Sequence, residues 1–247
     1  MPISIRSPLE ERLKAWHGEE WHTTRGRLIR DIVYAIDTGL VTTISFIAGI
    51  SVSLAARNQV ILAGLVEVGA GTLAIFFGSY ISAKAQKHFF ESQIDREKRE
   101  IEEDPQKETQ EIRDIFSDMG FTEQEQEMAV RRITADKERW LKFMVQEEIG
   151  ISPGLIDNPL HIGLISAGSF LVGAFPVILP FFFFEAVTRA FIVSAAAVLV
   201  FLFVLGIAKA RITKVRWFKS ALETLIIGGI SCGLGFFLGR IVTASFH

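Results

Sequence analysis

Four glutamates in the middle of the chain have a spacing suited to holding a metal ion. Glu97 and Glu100 are three residues apart, as are Glu108 and Glu111. Residues at this spacing share one face of a helix, and Pro105, between the two pairs, suits the first position of a new helix. If the two helices fold back antiparallel, the four carboxylates converge. Such an oxygen-rich site suits the hard divalent cations Mg(II), Mn(II), Ca(II) or Fe(II).

A later predicted helix offers further ligands for the same site. Glu147 and Glu148, with Met144 one turn earlier, can supply a third side. The alternative is a solvated, charged helix surface, because basic side chains among the glutamates can pair with them. These basic residues are Arg96, Lys98, Arg99 and Lys107. Spacing alone leaves both interpretations open.

Two further carboxylates, Asp37 and Glu67, lie within apolar runs. A carboxylate inside a membrane is costly and usually faces a water-filled path or a partner. We find no evident basic partner in the membrane for either residue. We therefore interpret them as part of a transport path, and the alternative is that one or both lie close enough to the interface to be hydrated.

The elements that position these residues follow from the segregation of charged and apolar residues. Charge is concentrated in residues 1–30, 84–148 and 209–219. Between these blocks lie apolar runs of about 20 residues, the length that a bilayer core of about 30 Å requires. We predict five transmembrane helices, at residues 32–56, 60–83, 160–182, 186–208 and 221–242.

The charged block between the second and third spans is predicted to be helical. The second span continues as a polar helix to Asp104, which is the predicted N-cap of the next helix. Gly120 closes that helix, and Thr122 with Glu125 forms a capping box for another. A last helix is predicted over about residues 135–148.

The fold class is therefore an all-α membrane protein with a helical domain inserted between its second and third spans. Lys and Arg are concentrated before the first span, after the second, and between the fourth and fifth. By the positive-inside rule, the N-terminus and the inserted domain are cytoplasmic and the C-terminus is outside. The predicted parts are an amphipathic N-terminal segment (1–30, with a helix at 7–22), spans one and two (31–83), the cytosolic domain (84–150) and spans three to five (151–247).

Small residues and prolines indicate how the spans pack. Gly39, Ser45 and Gly49 allow close backbone contact, and we expect the first span to form the centre of a dimer. Four glycines of the last span indicate another helix–helix seam. They are Gly229, Gly233, Gly235 and Gly239. Pro176 and Pro180 are expected to kink or terminate the third span.

The sequence gives no support to an enzyme. It contains no nucleophile elbow, phosphate-binding glycine loop or zinc-protease helix motif, and its histidines lack ligand spacing. Its single cysteine, Cys232, excludes an internal disulfide and any cysteine-based metal site. We expect no prosthetic group and no nucleic-acid partner.

Four stretches of the chain resemble the vacuolar iron transporter family. They are TGLVTTISFIAGIS (38–51), ILAGLVEVGAGTLAIFFGSYISAKAQ (61–86), DREKREIEEDPQKETQEI (95–112) and TADKERWLKFMVQEE (134–148). The order of the parts is also similar over nearly all of residues 30–243. The resemblance implies five spans, a cytosolic metal-binding domain, and a homodimer that moves Fe(II), and often Mn(II), out of the cytosol in exchange for protons.

The resemblance also implies a ligand set. The family pattern E-x-x-E-x7-E-x-x-E falls on Glu97, Glu100, Glu108 and Glu111. Met144 and Glu148 fall at the later ligand positions, and Val145 replaces the second methionine of a common Met-Met pair. The resemblance thus favours the metal site over the solvated surface, with Co(II) and Zn(II) as further candidate ions.

The membrane path departs from the family pattern. The family's Asp-Gly-Leu is Asp37-Thr38-Gly39-Leu40 here, and its Ser-Met-Ala-Ala-Gly-Glu is replaced by the run AIFFGS (74–79). A methionine and a carboxylate of the path are therefore replaced by Ile75 and Ser79, and Glu67 is the candidate compensating acid.

Three hypotheses follow. The first is a proton-coupled exporter of Fe(II) or Mn(II), with Asp37 and Glu67 on its path. The second is a metal-binding membrane protein with a sensing or structural role and no iron transport. The third is an acidic domain that only stabilises the dimer or docks a protein partner. We expect the membrane to be a prokaryotic plasma membrane.

Overall fold

A computed structural model describes residues 24–51, 56–150, 157–213 and 215–245. These residues form eight α-helices and no strands. The helices are α1 (Thr24–Ile50), α2 (Arg57–Glu103), α3 (Pro105–Asp118), α4 (Glu123–Thr134), α5 (Lys137–Glu147), α6 (Pro159–Phe183), α7 (Val187–Thr213) and α8 (Trp217–Ser245). The amphipathic helix predicted at residues 7–22 lies outside the described residues.

Five of these helices, α1, α2, α6, α7 and α8, are long and apolar enough to cross a membrane. The predicted all-α protein with five spans is therefore confirmed. Large apolar side chains such as Phe175 (64% exposed) and Ile192 (60% exposed) lie on the surface of these helices. Such a surface suits lipid, because the hydrogen bonds of the backbone are satisfied within each helix.

The ends of the helices differ from the ends of the predicted spans. The first helix was predicted over residues 32–56, whereas α1 extends from Thr24 to Ile50. An apolar run marks the part of a helix that suits the bilayer. Backbone hydrogen bonding continues into the basic segment before it, and so the helix begins earlier than the run.

Helix α6 continues through both of its prolines, Pro176 and Pro180, and ends at Phe183. Termination at these prolines was one of two expected outcomes. Proline removes a backbone donor and leaves carbonyl groups without a helical partner. The carbonyls that these two prolines leave without a helical donor are those of residues 172 and 176. Other helices bond to carbonyls nearby: the Ser194 hydroxyl donates to the Val177 carbonyl at 2.6 Å, and Arg57 donates to the carbonyls of residues 181 and 182, in the last turn of the helix, at 2.7 Å.

The chain divides into two compact units. Among the described residues, the charged helical unit comprises residue 24 and residues 82–150 with 157–158, and the span unit comprises residues 25–51, 56–81, 159–213 and 215–245. Helix α2 contributes its apolar first half to the span unit and its polar second half to the charged helical unit.

Capping residues form the helices of the charged unit as the sequence predicts. Asp104 accepts a hydrogen bond from the backbone of Lys107, and Thr122 and Glu125 form a capping box. Between these caps, Gly120 has a φ of +86°, which favours glycine. The small core of the unit consists of Ile101, Ile112, Val130, Ile133, Trp140 and Met144.

Close backbone contacts join α1 and α8 within the span unit. The Ser45 hydroxyl donates to the Ser231 carbonyl at 3.0 Å, and a Cβ placed on Gly235 would lie 2.6 Å from that of Ser45. Gly49 faces Gly239 in the same way. Ser45 and Gly49 therefore contact α8 of their own chain, and the expectation that the first span forms the centre of a dimer stays a prediction.

Candidate metal centre

Three carboxylates of the charged helical unit converge. Glu97 on α2, Glu108 on α3 and Glu148 at the end of α5 each place a carboxylate oxygen within 4.8 Å of the other two. Glu97 is 2% exposed and Glu108 is 1% exposed, while Glu148 is more open to solvent. Glutamate is almost never this buried without a partner.

The helix faces explain this convergence. Ile101 lies one turn after Glu97 on α2, and Ile112 lies one turn after Glu108 on α3. Both isoleucines belong to the core of the unit, together with Met144 of α5. Residues four apart share a helix face, so burying the two isoleucines directs the two glutamates inward. Met144 is fully buried one turn before Glu148.

Burial and like charge act together on the carboxylates. Burial, followed by the charges of Glu148 and Glu108, raises the pKa of Glu97 to about 8. Burial, and then the charge of Glu111, raises the pKa of Glu108 above its ordinary value, although Lys107 opposes this shift. Burial and neighbouring glutamates also raise the pKa of Glu148.

Two carboxylate oxygens at the centre lack hydrogen-bond partners among the described atoms. They are Glu97 Oε1 and Glu108 Oε2. Ionising crowded, buried carboxylates whose oxygens lack these hydrogen bonds is costly. A divalent cation would supply the missing ligand interaction and cancel the mutual repulsion, so the donor set fits a hard metal ion.

The other two predicted glutamates lie differently. Glu100 is held by Arg96 at 3.0 Å, and Glu111 is held by Lys107 at 2.9 Å. The solvated-surface interpretation therefore describes these two partly buried residues. It does not describe Glu97, which is buried in the three-carboxylate cluster.

In the span unit, Asp37 lines a cavity of about 470 Å³ that also contains Lys209 of α7. The sequence indicates no evident basic partner for Asp37, and the structure places Lys209 in the lining of the same cavity. The prediction missed Lys209 because it is far away in the sequence, at the end of another apolar run. Its place at the start of the basic block 209–219 was the available signal.

Glu67 lies in a different cavity of the span unit, with a volume of about 690 Å³, lined by α1 and α2. Its Oε2 atom is buried and has no hydrogen-bond partner among the described atoms, and the same holds for the hydroxyl of Thr43. Small residues line much of this cavity, including Ala63, Ala70 and Gly71. The two intramembrane acids therefore do not share one cavity.

Comparison with known proteins covers almost the whole chain. The sequence model of the VIT family matches residues 29–240. "Vacuolar iron transporter 2" of Oryza sativa subsp. japonica is 32% identical over 242 residues, which cover 96% of this chain and 97% of the relative.

Two further relatives show the range of similarity. "Vacuolar iron transporter 1" of Arabidopsis thaliana is 30% identical over 226 residues, covering 92% of this chain and 90% of the relative. "Protein CCC1" of Saccharomyces cerevisiae is 22% identical over 224 residues, covering 87% of this chain and 69% of the relative.

Proposed function

The chain belongs to the VIT family, and we propose that it transports divalent metal ions, Fe(II) and Mn(II), out of the cytosol. Relatives named for vacuolar iron transport align with more than nine-tenths of this chain and at least nine-tenths of their own length. The alignment therefore includes both the five spans and the charged helical unit.

The observation that carries this proposal is the cluster of Glu97, Glu108 and Glu148. Three carboxylates around one point form a ligand set for a hard divalent cation. Glu100, Glu111 and Met144 lie on the same elements, and we propose that they complete the ligand set when the ion binds. Arg96 and Lys107 would then release Glu100 and Glu111 from their present ion pairs.

We propose that this charged unit is cytosolic and concentrates metal near the membrane. Basic residues flank the spans on that side, which the positive-inside rule assigns to the cytoplasm. The ion then passes Asp37 and Glu67, and protons move in the opposite direction. In this proposal metal leaves the cytosol in either case, into the vacuole if the membrane bounds a vacuole and out of the cell if it bounds a prokaryotic cell.

A homodimer is part of the proposal. The cavity around Glu67 is open and is lined by small and apolar residues of α1 and α2. A second copy of the chain placed against this surface would exclude lipid from Glu67, whose buried Oε2 has no hydrogen-bond partner among the described residues.

The second candidate is a metal-binding membrane protein with a sensing or structural role. The run AIFFGS (74–79) favours it, because Ile75 and Ser79 offer neither a thioether nor a carboxylate to a passing ion. The metal centre of the charged unit would be the same in both candidates, so metal binding does not separate them.

Metal flux separates the two candidates. The full chain is reconstituted in vesicles that contain a metal indicator and a pH-sensitive dye, and Fe(II), Mn(II), Co(II) or Zn(II) is added outside. A transporter gives metal entry with simultaneous proton exit that empty vesicles lack. Metal binding by the full chain without any flux would support the sensing or structural role instead.

A further inference from the structure

The cavity around Asp37 brings together side chains from three spans. Helix α1 contributes Arg30 and Asp37, α7 contributes Lys209, and α8 contributes Thr224. Most of the remaining lining is apolar, so charges in this cavity are poorly screened. A carboxylate in such a place needs a cation nearby.

The two basic residues of the cavity differ in their partners. The Arg30 guanidinium is 3.0 Å from the carboxylate of Asp31, and its side chain is 72% exposed. Its charge is therefore already compensated beside the cavity. Lys209 is half-buried and lines the same cavity as Asp37.

We propose that Lys209 is a tethered counter-cation for Asp37, which a divalent metal ion displaces and a monovalent ion does not. This inference rests on the proposed function, in which the transported ion passes Asp37. Lys209 is a positioning residue, since it acts on the ion through its competition for the carboxylate.

The position of Lys209 allows its ammonium to lie either in the cavity or near the aqueous interface. The residue lies in the last turns of α7, and Arg211, two residues later, is exposed. A lysine has a flexible four-carbon stem and can extend its charge toward an aqueous interface. The ammonium can therefore neutralise Asp37 in the empty protein and withdraw when an ion arrives.

Competition with a tethered charge has two consequences. First, the metal binds less tightly than it would to a free carboxylate, and it leaves faster when the ammonium returns. Second, sodium or potassium has the same charge as the ammonium but lacks its tether, so it competes poorly for Asp37. The lysine thus selects for doubly charged ions, which attract the carboxylate about twice as strongly at equal distance.

The test compares three variants of the full chain in vesicles: Lys209→Gln, Lys209→Arg and Arg211→Gln. Mn(II) flux is measured at constant ionic strength, with either potassium or a bulky organic cation as the main salt. We expect Lys209→Gln to lower KM by about fivefold, the low end of typical coupling between sites, and to lower the maximal flux. We also expect its flux to become sensitive to potassium.

The other two variants are controls for charge and for fold. Lys209→Arg keeps the positive charge and is expected to keep flux insensitive to potassium. Arg211→Gln removes a neighbouring charge from the same helix and is expected to leave KM unchanged. A Lys209→Gln protein with unchanged KM and no sensitivity to potassium would overturn the inference.

A binding measurement separates this inference from the proposed transport. The full chain with Glu97→Gln and Glu108→Gln, in which the cluster of the charged unit is disabled, is titrated with Mn(II) in detergent, with and without Lys209→Gln. Tighter binding on removal of the lysine supports the tethered counter-cation even if the wild type shows no flux. If the wild type shows flux and neither KM nor binding changes, the inference fails and the transport function stands.

Discussion

The charged helical unit and the span unit both bury carboxylates, but they compensate them differently. In the charged unit, Glu97, Glu108 and Glu148 crowd together within 4.8 Å, and their pKa values are raised. In the span unit, Asp37 shares a cavity with Lys209, a cation of the same chain.

This difference indicates two tasks for the same kind of ligand. A site whose carboxylates outnumber its cations gains most from a metal ion, because the ion removes repulsion as well as satisfying the oxygens. Such a site suits the capture of metal ions from solution. A site with a built-in cation binds more weakly and releases more easily, which suits passage.

The largest expected effect is the loss of metal flux when Asp37 of the span unit is changed. We expect Asp37→Asn to abolish metal flux into vesicles, because a neutral amide cannot offset a divalent charge in a poorly screened cavity. Binding by the charged unit should stay within about threefold of the wild type, since typical single-site changes act locally. Glu67→Gln is the matched change in the other cavity. Wild-type flux in both variants would mean that the path lies elsewhere.

A matching change in the charged helical unit should remove its capture of metal ions. We expect Glu97→Gln combined with Glu108→Gln to weaken Mn(II) binding by the full chain about a hundredfold or more, because too few carboxylates remain to replace the water shell. Glu102→Gln with Glu103→Gln, which changes two exposed residues at the end of the same helix, serves as the control. Calorimetry on both proteins measures the affinities, and equal affinities would contradict the shared site.

The charged unit should also respond to pH. Its Glu97 must lose a proton to bind metal, and its pKa is about 8 in the metal-free protein. We expect Mn(II) affinity to rise about tenfold per pH unit from pH 6 to 7 and to level off near pH 8. Titration at several pH values, with Glu97→Gln as the control without this proton, measures the slope. A flat profile would contradict the raised pKa.

The carboxyl group of Glu97 also affects the stability of the fold. Mn(II) affinity should rise with pH, whereas this contribution to stability should fall. Since the folded pKa of Glu97 lies above its ordinary value of 4.5, the folded protein holds the proton more tightly than the unfolded chain does. The resulting stability is present in full below about pH 4.5 and is lost as the pH rises through about 8. We expect the metal-free charged unit to melt at a lower temperature at pH 8 than at pH 6, and added Mn(II) to remove this difference.

The smallest effect concerns the edge of the cluster. Glu111 is already held by Lys107 at 2.9 Å, so recruiting it for the metal costs an ion pair. We expect Glu111→Gln to weaken Mn(II) binding only severalfold. An exposed ion pair typically contributes about 0.2–1 kcal/mol, and we expect the net effect of Glu111 on metal binding to be of similar size. A loss as large as that of the Glu97 and Glu108 pair would mean that Glu111 belongs to the central ligands.

The sequence predicted the parts of this molecule that depend on local spacing. The helix corner at Asp104 and the capping box at Thr122 are set by neighbours within a few residues, and both are confirmed. Spacing also indicated Glu97, Glu100, Glu108 and Glu111 as candidate ligands. It could not distinguish Glu97, which is buried, from Glu100, which is ion-paired, because that difference depends on the packing of α5 against them.

The remaining features depend on contacts between distant segments. Asp37 of α1 and Lys209 of α7 line one cavity, and no periodicity within either helix reveals this. The hydrogen bonds that Arg57 of α2 and Ser194 of α7 donate to carbonyls of α6 also join distant segments. The small residues of α1 indicated close packing correctly, but their partner could not be read from α1 alone.

The glycines of α8 have a consequence for which sequences this fold tolerates. Gly229 and Gly233 have open space where a side chain would be, whereas Gly235 and Gly239 meet the backbone of α1. One regular pattern of small residues therefore contains two permissive positions and two restrictive ones. In a library of all single substitutions, positions 229 and 233 should accept many residues, while positions 235 and 239 should remain glycine in nearly every protein that still folds.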